Sequence, residues 1–151
     1  MAINIRLATE SDYKAITRVI DDSFTKYINI LNQKPSSMVT DYLPLIKNDQ
    51  MYVLIDTKEI IGTLVLKISN EDMWVSNMAI NPNLQKKGLG KKLLKFAEEK
   101  AKELRLKTVS LYTSSKIPEL YEYYVKQGFK ETERKKEDGF DRVYLSKTLI
   151  E

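Results

Sequence analysis

Ile3, Ile5 and Leu7 alternate with polar residues, and a period of two predicts a half-buried strand. The period then changes. Thr9-Glu10-Ser11-Asp12 has the form of a capping box, a hydroxyl followed three residues later by a carboxylate, so a helix is expected to start there. Tyr13, Ile16, Val19 and Ile20 follow at helical spacing, and Phe24 and Tyr27 continue it. Asn29 to Ser37, which contains Pro35, reads as a loop. A second helix is expected from Ser37 to Lys47, with Pro44 the residue that argues against it.

Strand character begins at Met51. Met51 to Ile55 and Ile60 to Ile68, separated by Asp56-Thr57-Lys58-Glu59, read as a hairpin. After the turn Asn70-Glu71-Asp72, Met73 to Ile80 forms a further strand that Asn81-Pro82 ends, so an antiparallel meander is expected. Gly88 to Leu104 carries Leu89, Leu93, Phe96, Ala97, Ala101 and Leu104 on one face and lysines and glutamates on the other, a clear amphipathic helix. Thr108 to Tyr112 is a short β-branched strand. Pro118 suits the first turn of a helix that ends near Gln127, where Gly128 stops it. Phe129 to Arg134 and Phe140 to Leu149 flank Glu137-Asp138-Gly139, and Asp-Gly is a strong hairpin signal. The order is strand, two helices, three strands, helix, strand, helix, two strands, a mixed α/β layer fold. No repeat, low-complexity tract or linker divides it, so residues 1–151 are expected to form a single domain.

Composition matters mainly through what it excludes. The 151 residues contain no Cys and no His, which removes thiolate and imidazole zinc sites, disulfides, cysteine nucleophiles and Ser-His-Asp triads. Any acid or base must be Asp, Glu, Tyr, Lys or water. Met1 to Arg6 has no basic segment leading into an apolar stretch, and the apolar run near Ile60 to Leu66 is too short to span a bilayer, so a cytoplasmic protein is expected. The net charge of +4 is modest, lysines are interspersed with 21 acidic residues, and no nucleic-acid module is visible. Nucleic acid is therefore not the expected partner.

Candidate chemistry concentrates between Ile80 and the long helix, in Asn81-Pro82-Asn83-Leu84-Gln85-Lys86-Lys87-Gly88-Leu89-Gly90. The first amides of a helix lack internal partners, and the macrodipole adds about half a positive charge, so this end suits an anion. Glycines at 88 and 90 would let a diphosphate approach the backbone, and Lys86, Lys87, Lys91 and Lys92 would add charge. On loop physics alone, Gly88 could equally shape a turn beside a solvated lysine face. Two rival phosphate motifs fail on spacing. A dinucleotide fingerprint needs Gly or Ala where Leu93 stands, and a P-loop needs Gly where Gln85 stands and Ser or Thr where Lys92 stands.

Met78-Ala79-Ile80-Asn81-Pro82 followed by Gln85-Lys86-Lys87-Gly88-Leu89-Gly90 resembles the acetyl-CoA motif of the GNAT superfamily of N-acetyltransferases, Gln/Arg-x-x-Gly-x-Gly/Ala. The likeness extends to Tyr-x-x-x-Gly-Phe at Tyr124 to Phe129 and to the element order of nearly the whole chain. It implies a GNAT-like α/β (α+β mixed) fold, with a mostly antiparallel sheet of about 6–7 strands and about 4 flanking helices. It implies that Met78, Ala79 and Ile80 pair their backbone with the pantetheine arm. Gln85, Lys86, Lys87, Gly88, Leu89, Gly90 and Lys91 would then hold the pyrophosphate in a nest of amides. The implied partners are acetyl-CoA as cosubstrate and an amine acceptor, with a homodimer allowed, no membrane and no metal.

The resemblance also implies direct attack of a neutral amine on the thioester, without an acyl-enzyme. Tyr124 occupies the place of the tyrosine that points toward the CoA sulfur in many relatives, and a phenol can donate a proton to a departing thiolate. Tyr121, on the same helix face, is the reserve candidate. Two departures stand out. Ile117 replaces the family's frequent Asn, and Trp74 to Ile80 contains no carboxylate, leaving Glu71, Asp72 or a water chain as the base. Tyr27, Tyr42 and Phe140 are candidates to line the acceptor groove, with ordinary packing the preferred reading of each, and Asp41 or Asp138 could serve as the groove's anionic group. These departures keep open an alternative in which the chain binds acyl-CoA without turnover, as a sensor or interaction module.

Overall fold

The computed structural model describes residues 2–85 and 87–149. Its elements are β1 (Ile3–Leu7), α1 (Tyr13–Phe24), α2 (Ile28–Leu31), α3 (Leu43–Lys47), β2 (Met51–Asp56), β3 (Glu59–Ser69), β4 (Asp72–Ile80), α4 (Leu89–Glu103), β5 (Thr108–Ser114), α5 (Pro118–Lys126), β6 (Lys130–Glu137) and β7 (Phe140–Thr148). The seven strands are ordered β1-β2-β3-β4-β5-β7-β6, with β4 and β5 parallel and the β1–β2, β2–β3, β5–β7 and β6–β7 pairs antiparallel. This is the expected mixed fold. By Cα proximity the residues fall into two compact units, one comprising the chain up to Lys67 with Ser76–Leu94, the other Ile68–Val75 with the chain from Lys95 onward.

In the first unit, the helical period of α1 buries Ile16, Val19 and Ile20 with Tyr42, Ile46, Met51, Val53, Ile55, Val65 and Ala79. Entry into α1 passes through a single 3-10 turn, Glu10–Asp12, preceded by Thr9. The Thr9 amide donates to the Asp12 carboxylate at 2.8 Å, and Arg6 clasps the same carboxylate at 2.8 and 3.1 Å. The Arg6 hydrogen bond, ahead of the Thr9 amide, holds the Asp12 carboxyl below its ordinary value of 3.8. A carboxyl with a depressed pKa stabilises the fold above its unfolded pKa and ceases to do so as the pH falls through the folded one. Asp12→Asn is accordingly expected to cost about 1–2 kcal/mol at neutral pH and progressively less below about pH 4. Urea melts of both proteins at pH 7 and pH 3 measure this, and an equal cost at both would contradict it.

The segment between α1 and β2 departs from the sequence reading. The chain continues past Phe24 through a 3-10 turn into α2, and Asn32, at φ 58°, ends it, so the loop starts later than Asn29. The expected helix from Ser37 to Lys47 is reduced to a 3-10 turn at Ser36–Met38 and the short α3. Pro44 explains this. It stands in the first turn of α3, where its missing N–H costs nothing, and could not have stood in the interior.

In the second unit, β5 alternates buried Val109, Leu111 and Thr113 with half-buried Thr108, Ser110, Tyr112 and Ser114. Gly128 at φ 98° stops α5, and Phe129 behind it is buried. β6 runs to Glu137, beyond the expected Arg134, because pairing with β7 extends it through Glu137–Phe140 although it has no apolar alternation. It is exposed almost throughout, and its charges protect a sheet edge from pairing with other chains. Among the described residues no helix is long and apolar enough to cross a membrane.

Candidate active site

β4 leads into the glycine loop. Ala79 and Ile80 are buried, whereas Met78 is half-buried. Gly62 on β3 makes this close packing feasible: a Cβ there would lie 3.0 Å from Ile80 Cδ1 and 3.1 Å from the Ala79 carbonyl oxygen. Asn81 then donates its amide to the Ile61 carbonyl at 2.8 Å and accepts from the Asn83 amide at 3.0 Å, closing the Asn-Pro turn. The β4–β5 register covers Asp72–Thr108 to Trp74–Ser110, while β4 itself continues to Ile80.

Gln85 is the bracket of the loop. Its Nε2 donates to the Ile80 carbonyl at 3.2 Å, and its Oε1 accepts from Lys26 Nζ at 2.9 Å. Lys26, between α1 and α2, is a loop contact that sequence reading missed. Gly88 has φ 78°, and a Cβ built on it would meet nothing within 4 Å. Only glycine adopts that conformation without strain, and the space beside it is open. Among the described residues the first bond of α4 is donated by Lys92 to Gly88, so the amides of Leu89, Gly90 and Lys91 precede it. Leu89 is buried and anchors the helix start, while Lys87, Lys91 and Lys92 are exposed. Together these residues form a cationic cradle around helix-start amides that have no acceptor among the described residues. Lys86 lies outside the described residues.

Behind β4, Asn77 is buried in a polar relay. Thr63 Oγ1 donates to Asn77 Oδ1 at 2.8 Å, Asn77 Nδ2 donates to the Tyr42 hydroxyl at 3.2 Å, and that hydroxyl donates to the Ser37 carbonyl at 2.7 Å. Tyr42 and Tyr27 are buried, in keeping with ordinary packing as the preferred of their two readings. Asp41 caps the Leu43 amide at 3.1 Å.

The second unit contains Tyr124. Its ring meets Tyr123 edge-on at 5.4 Å and Phe129 at 5.9 Å, and the Phe129 amide donates to its carbonyl at 3.1 Å. The Gly-Phe pair therefore turns the chain back beneath Tyr124 and fixes its ring. Tyr121 is committed elsewhere: its hydroxyl donates to Glu131 at 3.0 Å and Arg134 lies over its ring. Burial raises the Tyr123 phenol above its ordinary value, favouring the neutral form. Ile117, in place of the expected Asn, is buried at the start of α5. Glu71 pairs with Lys107 at 3.2 Å, and Asp72 accepts from Thr108 and Ser110 hydroxyls at 2.6 and 2.7 Å, so both carboxylates are engaged in holding strands together. Phe140 lies beside Arg142, and the Asp138 side chain is exposed.

Helix-start amides after a strand and an Asn-Pro turn are the arrangement that suits an anion, and comparison with known proteins shows the class of protein that carries it. The acetyltransferase (GNAT) family model matches residues 14–129, and the chain belongs to that family. It is 31% identical over 102 residues to an uncharacterised N-acetyltransferase, YvbK, of Bacillus subtilis (strain 168), a match spanning 67% of this chain but only 64% of that relative's length. It is 32% identical over 116 residues to the S-(2-succino)cysteine N-acetyltransferase of the same organism, spanning 69% of each. The PaiA N-acetyltransferase of Thermoplasma acidophilum, solved in complex with coenzyme A, shares the fold with a TM-score of 0.80 at 21% identity, over 98% of this chain and 99% of that one.

Proposed function

We propose that the whole chain acts as one acetyltransferase domain that moves an acetyl group from acetyl-CoA to a primary amine by direct attack in a ternary complex. The observation that carries this reading is the loop at Gly88: an open space at φ 78° beside the amides of Leu89, Gly90 and Lys91, which have no acceptor among the described residues. That arrangement suits a diphosphate, which needs converging N–H donors and no Cβ in the way. The β4 backbone at Met78, Ala79 and Ile80, beyond the register with β5, pairs with the pantetheine arm. Gln85, braced by Lys26 and the Ile80 carbonyl, keeps the cradle open, and Lys86, Lys87 and Lys91 neutralise the phosphates.

In the transfer step the amine nitrogen bonds to the thioester carbon, the C–S bond breaks, and Tyr124 gives its phenolic proton to the departing thiolate. The amine's surplus proton leaves to water, because Glu71 and Asp72 are committed to Lys107, Thr108 and Ser110. A small-molecule acceptor is favoured by the Bacillus relative whose name gives a cysteine derivative as its substrate. Incubation with acetyl-CoA and a panel of small amines and peptides, with free CoA and acetylated product measured together, tests the reading. Product from at least one amine is expected. Heat stabilisation by acetyl-CoA with no CoA release from any amine would instead establish the non-catalytic alternative.

A further inference from the structure

The last turn of α5 is held from outside the helix by Lys147 on β7, a residue with no part in the transfer step itself. Its Nζ donates to the Gln127 carbonyl at 2.9 Å and to Glu98 on α4 at 3.1 Å. One ammonium thereby joins β7, α4 and the end of α5. The Lys147 side chain is 27% exposed and that of Glu98 19%, so salt and water screen this pair only in part. The position also suits α5, because the last carbonyls of a helix lack intrahelical donors and carry its negative end.

The aliphatic stem of Lys147 is fitted to its surroundings as well. A Cβ on Gly128, which has φ 98°, would stand 3.1 Å from Lys147 Cε and 3.5 Å from its Cδ. The glycine that stops α5 thus leaves room for the lysine that ties down the residue before it.

Gln127 is where this clamp meets Tyr124. The Gln127 amide donates to the Tyr124 carbonyl at 3.0 Å, and the Phe129 amide donates to the same oxygen at 3.1 Å. The Gly128 amide closes onto Val125 at 3.0 Å, and the Phe129 ring lies 5.9 Å from that of Tyr124. Lys147 is therefore two hydrogen bonds away from the Tyr124 backbone. Tyr124 itself stands in the last turn of a helix that ends at Lys126, and helix ends fray unless something outside them holds the chain.

We propose that Lys147 is a positioning residue for Tyr124. By holding the Gln127 carbonyl it keeps the last turn of α5 wound and the phenol where it protonates the leaving thiolate, an inference that rests on the reading of Tyr124 as the proton donor. Lys147 neither gives nor takes the transferred proton. Displacing a reacting group by about 1 Å lowers a rate by up to about a hundredfold, so a clamp remote from the chemistry is felt in turnover while cofactor affinity stays unchanged.

A double-mutant cycle on the full chain tests this. Hydroxylamine, a small nucleophile that is neutral at neutral pH, serves as acceptor, and CoA release from acetyl-CoA is measured above the uncatalysed rate. Lys147→Met keeps most of the stem and removes the ammonium. It is expected to lower kcat about fivefold with the KM for acetyl-CoA within about twofold. With Tyr124→Phe already present, the same change is expected to lower kcat less than about 1.5-fold, because a residue that acts through the phenol then has nothing to act on. Lys147→Arg keeps a cationic donor and is expected to retain at least about half of the wild-type kcat. Equal losses in both backgrounds mark a scaffold unconnected with the proton transfer and overturn the proposal, as does wild-type turnover in Lys147→Met. Where Lys147→Met does not fold, Glu98→Gln, which loosens the other tie on the ammonium, carries the same cycle with an expected loss of about twofold. Tyr124→Phe alone reports on the underlying reading. No loss there, or no catalysed release by the wild type, removes that reading and the inference with it, whereas a loss there with additive effects removes the inference alone.

Discussion

Gly88→Glu is expected to weaken acetyl-CoA binding at least about a hundredfold while leaving the fold intact. The effect has separable parts. At φ 78° any side chain imposes backbone strain, about 1–2 kcal/mol for an ordinary residue. A Cβ meets nothing in the protein within 4 Å, so the substitution creates no internal clash, but it occupies the space a diphosphate needs. The carboxylate then places like charge against the phosphates, at about 1–4 kcal/mol per pair of unit charges 4 Å apart in water-like to surface-like surroundings. Gly88→Gln carries the strain and the bulk without the charge, so an intermediate loss of about tenfold is expected. Gly90→Glu, in the first turn of α4, is expected to act in the same direction as Gly88→Glu. Calorimetry with acetyl-CoA, alongside circular dichroism, reads all three variants. Wild-type affinity in a folded Gly88→Glu protein would rule the loop out as the phosphate site.

The cradle was legible in the sequence because its determinants are local: glycines, lysines and the Asn-Pro turn lie within ten residues of one another. The contacts that shape it were not. Lys26 and Gln85 are separated by 59 positions, Thr63 and Asn77 by 14, and Asn77 and Tyr42 by 35, and no periodicity links residues that far apart. Gly62 did carry a signal, since a lone glycine inside a strand pattern marks close backbone approach, and the structure places the Ala79 carbonyl there. The same contrast governs the fold. α1, α4 and β5 each bury a periodic apolar face and were readable from it. Residues 28–47 form helices of only four and five residues, too short to persist on propensity alone, so tertiary packing around Tyr42 and Ile46 decides them. β6 is fixed by its ladder with β7, which leaves no hydrophobic trace in Lys130–Glu137.

Tyr124→Phe is expected to lower kcat about ten- to a hundredfold while acetyl-CoA affinity stays within about twofold. The substitution removes one oxygen and keeps the ring, so the contacts with Tyr123 at 5.4 Å and Phe129 at 5.9 Å survive, as does the Phe129 amide bond to its carbonyl. A loss confined to turnover is the mark of a group that acts on the leaving thiolate and contributes little to ground-state binding. The neighbouring tyrosines supply controls of the same chemistry. Tyr121→Phe breaks the hydrogen bond to Glu131 on an exposed surface and is expected to change kcat less than about twofold. Burial alone raises the Tyr123 phenol, and Tyr123→Phe is expected to behave like Tyr121→Phe. Steady-state kinetics with the amine found by the acceptor screen compares the three variants directly. If Tyr121→Phe or Tyr123→Phe falls as far as Tyr124→Phe, α5 acts by packing and the proton comes from elsewhere. A drop confined to Tyr124 assigns the phenol that the Gly128-Phe129 turn holds in place.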